Sequence, residues 1–484
     1  MAPHICIVGA GVSGLRCAAV LLEQSYDVTI IEARNRVGGR IAQSDQMGPL
    51  EVDIGANWVH STGHNPIIEL AKETGTPLHL WKENTLMVDD GGRLVPSQEA
   101  NQALKQVWEI LDNASEHSTD QGHEVHPSAS LYSFFEDSCN SAVACGDMTE
   151  RERELVLFMS QMWGAYVGDS VELQSLKFFY LEDCIEGDDC FIPTNYQKII
   201  ARIAAVPVAQ AEIRFETLMT SVENRTGEMR PVCVTTSDGK AQYFDDVVIT
   251  TPLGWLKQHK ESIHRLHPRI ASAIDSMSVG RLEKILIEFP TAFWEYADGQ
   301  TDADDLVSFV HWLSPLRPNP SNPRQWRLEC VSFHAFEAPY RRNILLFYTF
   351  GDCSTHITSS IRGLEGKIRD DWLRDFFEPY YSTLPGYAAI HTPKRFLATE
   401  WCNDDLAGNG CYCNFQVGMT DAARDVEAIR HGMPEQHIYF AGEHTAPFDG
   451  LGTVAGAYTS GEKIATRIIG SKQSANGTIE CKAN

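Results

Sequence analysis

Residues 4–40 read HICIVGAGVSGLRCAAVLLEQSYDVTIIEARNRVGGR, and this stretch decides the fold. The apolar run at 5–8 predicts a buried strand, Gly9, Gly11 and Gly14 form a G-x-G-x-x-G turn, residues 13–23 carry the period of an amphipathic helix, and 28–31 predict a second buried strand. Together they make a βαβ unit. A glycine turn between strand and helix lets backbone N–H groups and the positive helix end meet a pyrophosphate. Glu32, closing the second strand, is placed to accept hydrogen bonds from a ribose diol, which favours an unphosphorylated adenosine ribose.

Working outward, Gly38 and Gly39 let the main chain pass close to a ligand, while Arg34, Arg36 and Arg40 offer guanidinium forks for phosphate oxygens. Asn65 and Pro66 followed by an apolar stretch and Gly75 predict a short capped helix. Residues 231–251 predict a hairpin turning at 235–239 and feeding a buried strand, and 438–442 predict a last strand that leads into a helix over 453–469. Nucleotide-binding elements at both ends of the chain imply an α/β fold: a discontinuous, Rossmann-like domain of residues 1–85, 200–260 and 395–470. A mixed sheet-and-helix substrate-binding domain, 86–199 and 261–394, is then inserted into it. Residues 111–130, polar and rich in Asp, Ser and His, and 313–326, rich in proline, are expected to be surface loops. Residues 471–484 are expected to form a flexible tail.

The chain has 484 residues of which 43% are hydrophobic, enough for a sizeable core. Its 40 Lys+Arg against 65 Asp+Glu give a net charge of −25, which makes nucleic acid an unexpected partner. Thirteen cysteines, an odd number without any C-x-x-C pair, argue for reduced thiols. There is no signal-peptide pattern, no apolar run of membrane-spanning length and no C-terminal Ser-Lys-Leu, so an intracellular, cytoplasmic location is expected, with no membrane partner. His123 and His126 have helical ligand spacing but no acid beside them, and no metal is expected.

With the extension from Glu32 to Arg40, the N-terminal segment resembles the signature of the FAD-dependent amine oxidases, a GxGxxG unit followed by E-A-x-x-R-x-G-G-R. Further matches reach residue 461, and they resemble the branch of polyamine oxidases and lysine-specific histone demethylases. The stretch from Asp53 to His60 is similar to the G-A-x-W-I-H segment of animal polyamine oxidases, which implies that His60 faces the substrate amine. Val222 falls where the family pairs a valine main chain with adenine. Lys284, in the pattern K-[IV]-x-x-x-F-x-x-x-F-W, stands where the family bridges a lysine through water to flavin N5. Trp401, Cys411 and Tyr412 resemble the W-x(n)-G-[SC]-Y stretch whose tyrosine walls an aromatic slot at the flavin face. Gly442, Glu443, Thr453 and Val454 resemble the segment that holds the ribityl-diphosphate and the flavin pyrimidine. Gly9, Gly11, Ser13, Gly14, Glu32, Arg34 and Arg40 complete the implied cofactor-binding set.

The resemblance implies FAD, bound non-covalently, with a covalent link through Cys411 as the alternative because monoamine oxidases carry a cysteine there. Its other departure is Thr453, where monoamine and plant polyamine oxidases have a second tyrosine and histone demethylases also have threonine. The implied reaction is oxidation of a secondary amine, polyamine or acetylated polyamine favoured, by hydride transfer to flavin N5 with Lys284, His60 and Tyr412 at the reacting end. Oxygen then reoxidises the flavin and hydrogen peroxide is released. A specialised biosynthetic amine oxidase or oxidative cyclase, a histone-lysine demethylase-like oxidase and a non-catalytic FAD-binding protein remain the alternatives. The oligomeric state is open. Between the flavin segments, the acidic run from Glu182 to Asp189 reads either as a solvated loop or as a carboxylate row at a funnel mouth.

Overall fold

The computed structural model describes residues 2–480 except 61–62, 83, 183–186, 226–227 and 296–305, with the backbone alone for 474–480. A five-stranded parallel sheet has the order Ile438–Phe440, Asp246–Ile249, His4–Val8, Asp27–Ile31, Glu212–Arg214. Its inner strands are mostly apolar because both faces are covered, as a parallel sheet requires, whereas the edge strand Glu212–Arg214 is polar and only partly buried. Side chains alternate between the covers: Ile5, Ile7 and Ile30 pack with helices Val12–Glu23, Gln197–Gln210 and Val454–Glu480, whereas Cys6, Val8 and Ile31 join a second core. That second core includes the three-stranded sheet of Met219–Asn224, Val232–Thr236 and Ala241–Phe244. The helix Pro66–Thr74 forms as its sequence requires, with the Asn65 side chain accepting from Ile67 N–H at 2.9 Å and Gly75 closing it at φ 62°.

A six-stranded sheet stands across from the parallel one, ordered Arg395–Ala398, Leu282–Glu288, Ile344–Phe350, Leu328–Ser332, Phe309–Trp312, Thr85–Val88. One face, carrying Ile285, Phe347, Cys330 and Val310, is sealed by helices Gly351–Ile361 and Gly366–Tyr381. The register on the other face aligns Lys284, Tyr348, Glu329, His311 and Met87 in one row across five strands. Helices Ser97–Gln121, Leu131–Cys145 and Glu150–Ser160 pack beyond the end of that row, and Met87 belongs to their core.

The structure departs from the sequence reading in three places. Residues 111–121, expected as loop, continue helix Ser97–Gln121; Val107, Ile110, Leu111, Ala114 and Ser118 are buried at three- and four-residue steps, and the polar residues between them face outward. The last helix runs Val454–Glu480, past 469 and into the expected tail, because Gly470 does not take the left-handed conformation that would cap it. Residues 481–484 lie outside the described residues. Strands Thr85–Val88 and Arg395–Ala398 pair into the six-stranded sheet, so sheet membership crosses the boundaries expected at 85 and 395. No described helix is long and apolar enough to cross a membrane.

Candidate active site

One cavity of about 1080 Å³ runs from the glycine turn, past Lys284, to the helices at the far end of the six-stranded sheet. It is lined by every residue of the expected catalytic and cofactor-binding set except Gly14 and Val222, and Arg36 also stays outside it. Gly14 lies directly behind the turn, where a Cβ would stand 2.0 Å from the Gly9 carbonyl oxygen. Val222 is buried in the core, and its carbonyl accepts from His264 N–H at 2.9 Å. A register irregularity between Met219 and Ser221 separates it from Leu218 and Met219, which do reach the cavity. The structure therefore does not bring Val222 to the place expected of it.

At the nucleotide end, Glu32 is buried and accepts from Ala10 N–H at 2.7 Å and Arg34 N–H at 2.8 Å. Arg34 is spent on Asp404 in a two-pronged pair at 2.9 and 2.8 Å, and Arg36 on the carbonyls of Val37, Gly39 and Ile41. The fork expected to meet phosphates at Arg36 instead holds the loop, because its turn leaves carbonyls that need donors, and that at Arg34 is taken by the Asp404 carboxylate. Arg40 stays at the cavity wall, donating to Glu443 at 3.0 Å and to the Cys411 carbonyl. Burial opposes the charge on Glu443, but Arg40, His444 and the hydrogen bond from Cys413 together outweigh it and hold the carboxyl below the usual range.

The residues fit a dinucleotide. Ser13 Oγ, in the first turn of helix Val12–Glu23, is buried at the cavity wall with no hydrogen-bond partner among the described residues, and so is Thr251 Oγ1. Orphaned hydroxyls beside a helix N-terminus are what a bound pyrophosphate satisfies. At the other end Thr453 caps the last helix, its Oγ1 accepting from Gly456 N–H at 2.9 Å, and the helix N-terminus opens on the cavity. Cys411 Sγ lies against Gly168 and Gly280, where a Cβ would come within 3.0 and 2.9 Å of it. Burial there pushes its thiol up to about 12.

Lys284 is 6% exposed on strand Leu282–Glu288, with its backbone N–H donating to Thr399 Oγ1 at 2.8 Å. Its Nζ donates to the carbonyls of Asp53, at 3.4 Å, and Gly55. Burial pushes the lysine down from its ordinary range and the Asp53 carboxyl up, and the opposite charges partly counter both shifts. Trp401 anchors the same segment through Nε1 to the Ile54 carbonyl at 2.8 Å. His60 Nδ1 stands 3.0 Å from Asp189 Oδ2 at the cavity wall. Of the acidic run, Glu182, Asp188 and Asp189 line the cavity, and Asp183 and Glu186 lie outside the described residues. Tyr412 donates its hydroxyl to the Tyr166 carbonyl, and Tyr166 stacks on Trp163 at 5.2 Å.

Sequence reading missed the far wall. Leu104, Val107, Leu111, Phe135 and Met159 give it an apolar lining, and the sheet contributes Tyr348, Glu329 and His311. Tyr348 donates to Asn57 Oδ1 and accepts from Trp58 Nε1, both at 3.0 Å. The available signal was a charged or polar residue inside an otherwise apolar strand: Glu329 between Leu328 and Cys330, His311 between Val310 and Trp312. Among the described residues no three His, Cys, Asp or Glu side chains gather to hold a metal ion.

Residues 12–469 match the family model described as flavin containing amine oxidoreductase. The chain is 24% identical over 475 residues to polyamine oxidase 4 of Oryza sativa subsp. japonica, covering 95% of this chain and 87% of the relative. It is 26% identical over 516 residues to the human peroxisomal N(1)-acetyl-spermine/spermidine oxidase, covering 96% and 95%. It is 23% identical over 471 residues to human lysine-specific histone demethylase 2, covering 96% of this chain and 53% of the relative.

Proposed function

The chain belongs to the flavin-containing amine oxidoreductases, and on that premise we propose that it is an FAD-dependent oxidase of secondary amines, with polyamines or acetylated polyamines as the favoured substrates. The observation that carries this reading is Lys284, a buried amine in the same cavity as the nucleotide cradle of Ser13 and Glu32. FAD, once bound, supplies the hydride acceptor for the amine carbon and passes the electrons to oxygen to give hydrogen peroxide.

Ser13, Glu32, Arg40, Glu443 and the Thr453–Val454 helix terminus hold the cofactor in this account, without a covalent bond. The raised thiol of Cys411, packed on two glycines, supports that choice, since the thiolate is the nucleophilic form. Lys284 holds and orients a water at its Nζ beside the reacting centre, and its lowered pKa lets it move between charged and neutral forms. Tyr412 presents its ring to the amine, an electron-rich face that attracts a partly cationic nitrogen. His60, held by Asp189, accepts or donates a hydrogen bond at the amine or through a water. The reacting nitrogen has to be neutral to release hydride, so activity rises with pH through the bound amine's own pKa.

A second reading, a specialised oxidase of a bulkier apolar amine, has one observation in its favour: the apolar arm of Val107, Leu111, Phe135 and Met159 at the far end of the cavity. Anaerobic mixing of the yellow protein with candidate amines tests the proposal. Bleaching of the flavin absorbance by a secondary amine is the expected result, and an unchanged spectrum with every amine at millimolar concentration would remove it.

A further inference from the structure

Amine oxidation at Lys284 leaves two buried titratable groups of the same sheet face unused. Glu329 and His311 stand opposite each other in the register of neighbouring strands, are 9% and 5% exposed, and both line the cavity. Glu329 Oε2 lies 3.5 Å from His311 Nδ1, and that ring nitrogen has no hydrogen-bond partner among the described residues. No lysine or arginine of the described residues pairs with Glu329.

A carboxyl group in an apolar wall is costly unless it is paired, and a leucine would fill the position without that cost. Tyr348, between Lys284 and Glu329 in the row, is satisfied by Trp58 and Asn57, so the unsatisfied end of the row is the end away from Lys284. At the spacing of adjacent strands the Glu329 backbone lies about 10 Å across the sheet from that of Lys284. Phe309 and Val331 line the cavity beside the pair and offer apolar surface to an alkyl chain.

We propose that Glu329 and His311 form a subsite for a second, protonated nitrogen of the substrate, remote from the nitrogen that is oxidised. The inference rests on the amine-oxidase reading and narrows its substrate class to molecules with two or more basic nitrogens joined by a flexible apolar spacer. An ammonium group donates in several directions at once and reaches the carboxylate and the imidazole nitrogen together. A monoamine of the same length brings no ammonium group to the pair, and that difference is the source of selectivity. Burial pushes Glu329 up to about 8 and His311 down to about 4, so the pair waits uncharged and an arriving cation draws the carboxyl into its charged form.

The test is calorimetric titration of the dithionite-reduced holoenzyme under argon, where binding is read without turnover. The ligands are spermidine and N-propylbutylamine, the same secondary amine without its terminal nitrogens. Wild type should bind spermidine at least about tenfold more tightly, the lower range for a charge-assisted hydrogen bond, and Glu329→Gln should bring the ratio close to one. His311→Asn, which should reduce the ratio, answers the same question if Glu329→Gln fails to retain flavin. Equal affinities in wild type, or a ratio that survives substitution, would overturn the subsite. Flavin bleaching of the oxidised enzyme, followed separately, reports on the oxidase reading: discrimination without bleaching ends that reading and leaves the subsite standing, and bleaching without discrimination does the reverse.

Discussion

The Nζ of Lys284 stands 3.4 Å from the carbonyl oxygen of Asp53, and both side chains are buried. The chain segment that carries Asp53 also carries Asn57, Trp58 and His60, so the lysine ties the six-stranded sheet to a segment that lines the cavity. Asp53 in turn accepts from Gln43 at 2.7 Å and from Tyr196 N–H at 3.1 and 3.0 Å, which fixes the segment from its other side.

Lys284→Met removes the amine and keeps an unbranched side chain of similar length. The variant should retain flavin, because the nucleotide cradle is untouched, and should lose about two orders of magnitude in the oxygen-dependent reoxidation rate measured by stopped flow. Unaltered oxygen kinetics would remove Lys284 from the reaction.

Glu329 gives a stability signature of definite sign. Its folded-state pKa is raised, to about 8 from an ordinary 4.5, so between those values the folded state binds more protons than the unfolded and stability falls as pH rises. The neutral isostere escapes this. The melting temperature of Glu329→Gln relative to wild type should therefore rise between pH 5 and pH 8, by about 2 °C or more. His311, lowered to about 4, acts in the opposite sense below its ordinary 6.5 and is common to both proteins. A pH-independent difference would show that Glu329 is ionised throughout in the fold.

Gly14→Ala places a methyl 2.0 Å from the Gly9 carbonyl oxygen, backbone that has nowhere to go without opening the turn. The expected protein is folded and colourless, or binds FAD at least about tenfold more weakly, as judged by flavin released on gel filtration. Yellow protein with unchanged affinity would contradict the assignment of the turn to the pyrophosphate.

Much of this site was legible in the sequence where the requirement is local. Gly9, Gly11 and Gly14 answer to a turn and a helix terminus a few residues long, and the Asn65 cap and Gly75 to one short helix. Glu329 and His311 become a pair only through the register of two strands joined by a long proline-rich connection, and periodicity along either strand does not contain that register. The apolar arm was hidden for another reason. Residues 111–121 are polar in composition, and the stripe of Ile110, Leu111, Ala114 and Ser118 that seats them on the neighbouring helices, with Leu111 reaching the cavity, is diluted by the acids and amides between. Arg34 and Arg36 show a third limit: type and spacing suggested phosphate ligands, but the turn's own carbonyls and Asp404 claimed both guanidinium groups.

The flavin is expected to be held without a bond to Cys411. Acid precipitation should release all the FAD into the supernatant, and Cys411→Ser should keep the cofactor. Flavin remaining with the precipitate and gained as mass on the peptide that contains Cys411 would show the covalent alternative.

The central claim is oxidation of an amine at the expense of oxygen, and peroxide release measures it most directly. Purified holoenzyme would be assayed with spermine, N-acetylspermine, benzylamine, an L-amino acid and a dimethyl-lysine peptide, peroxide being read by a coupled peroxidase. The account expects turnover of the polyamines, with little or none of benzylamine and the amino acid. No peroxide from any amine, with the flavin bound and the protein folded, would contradict it.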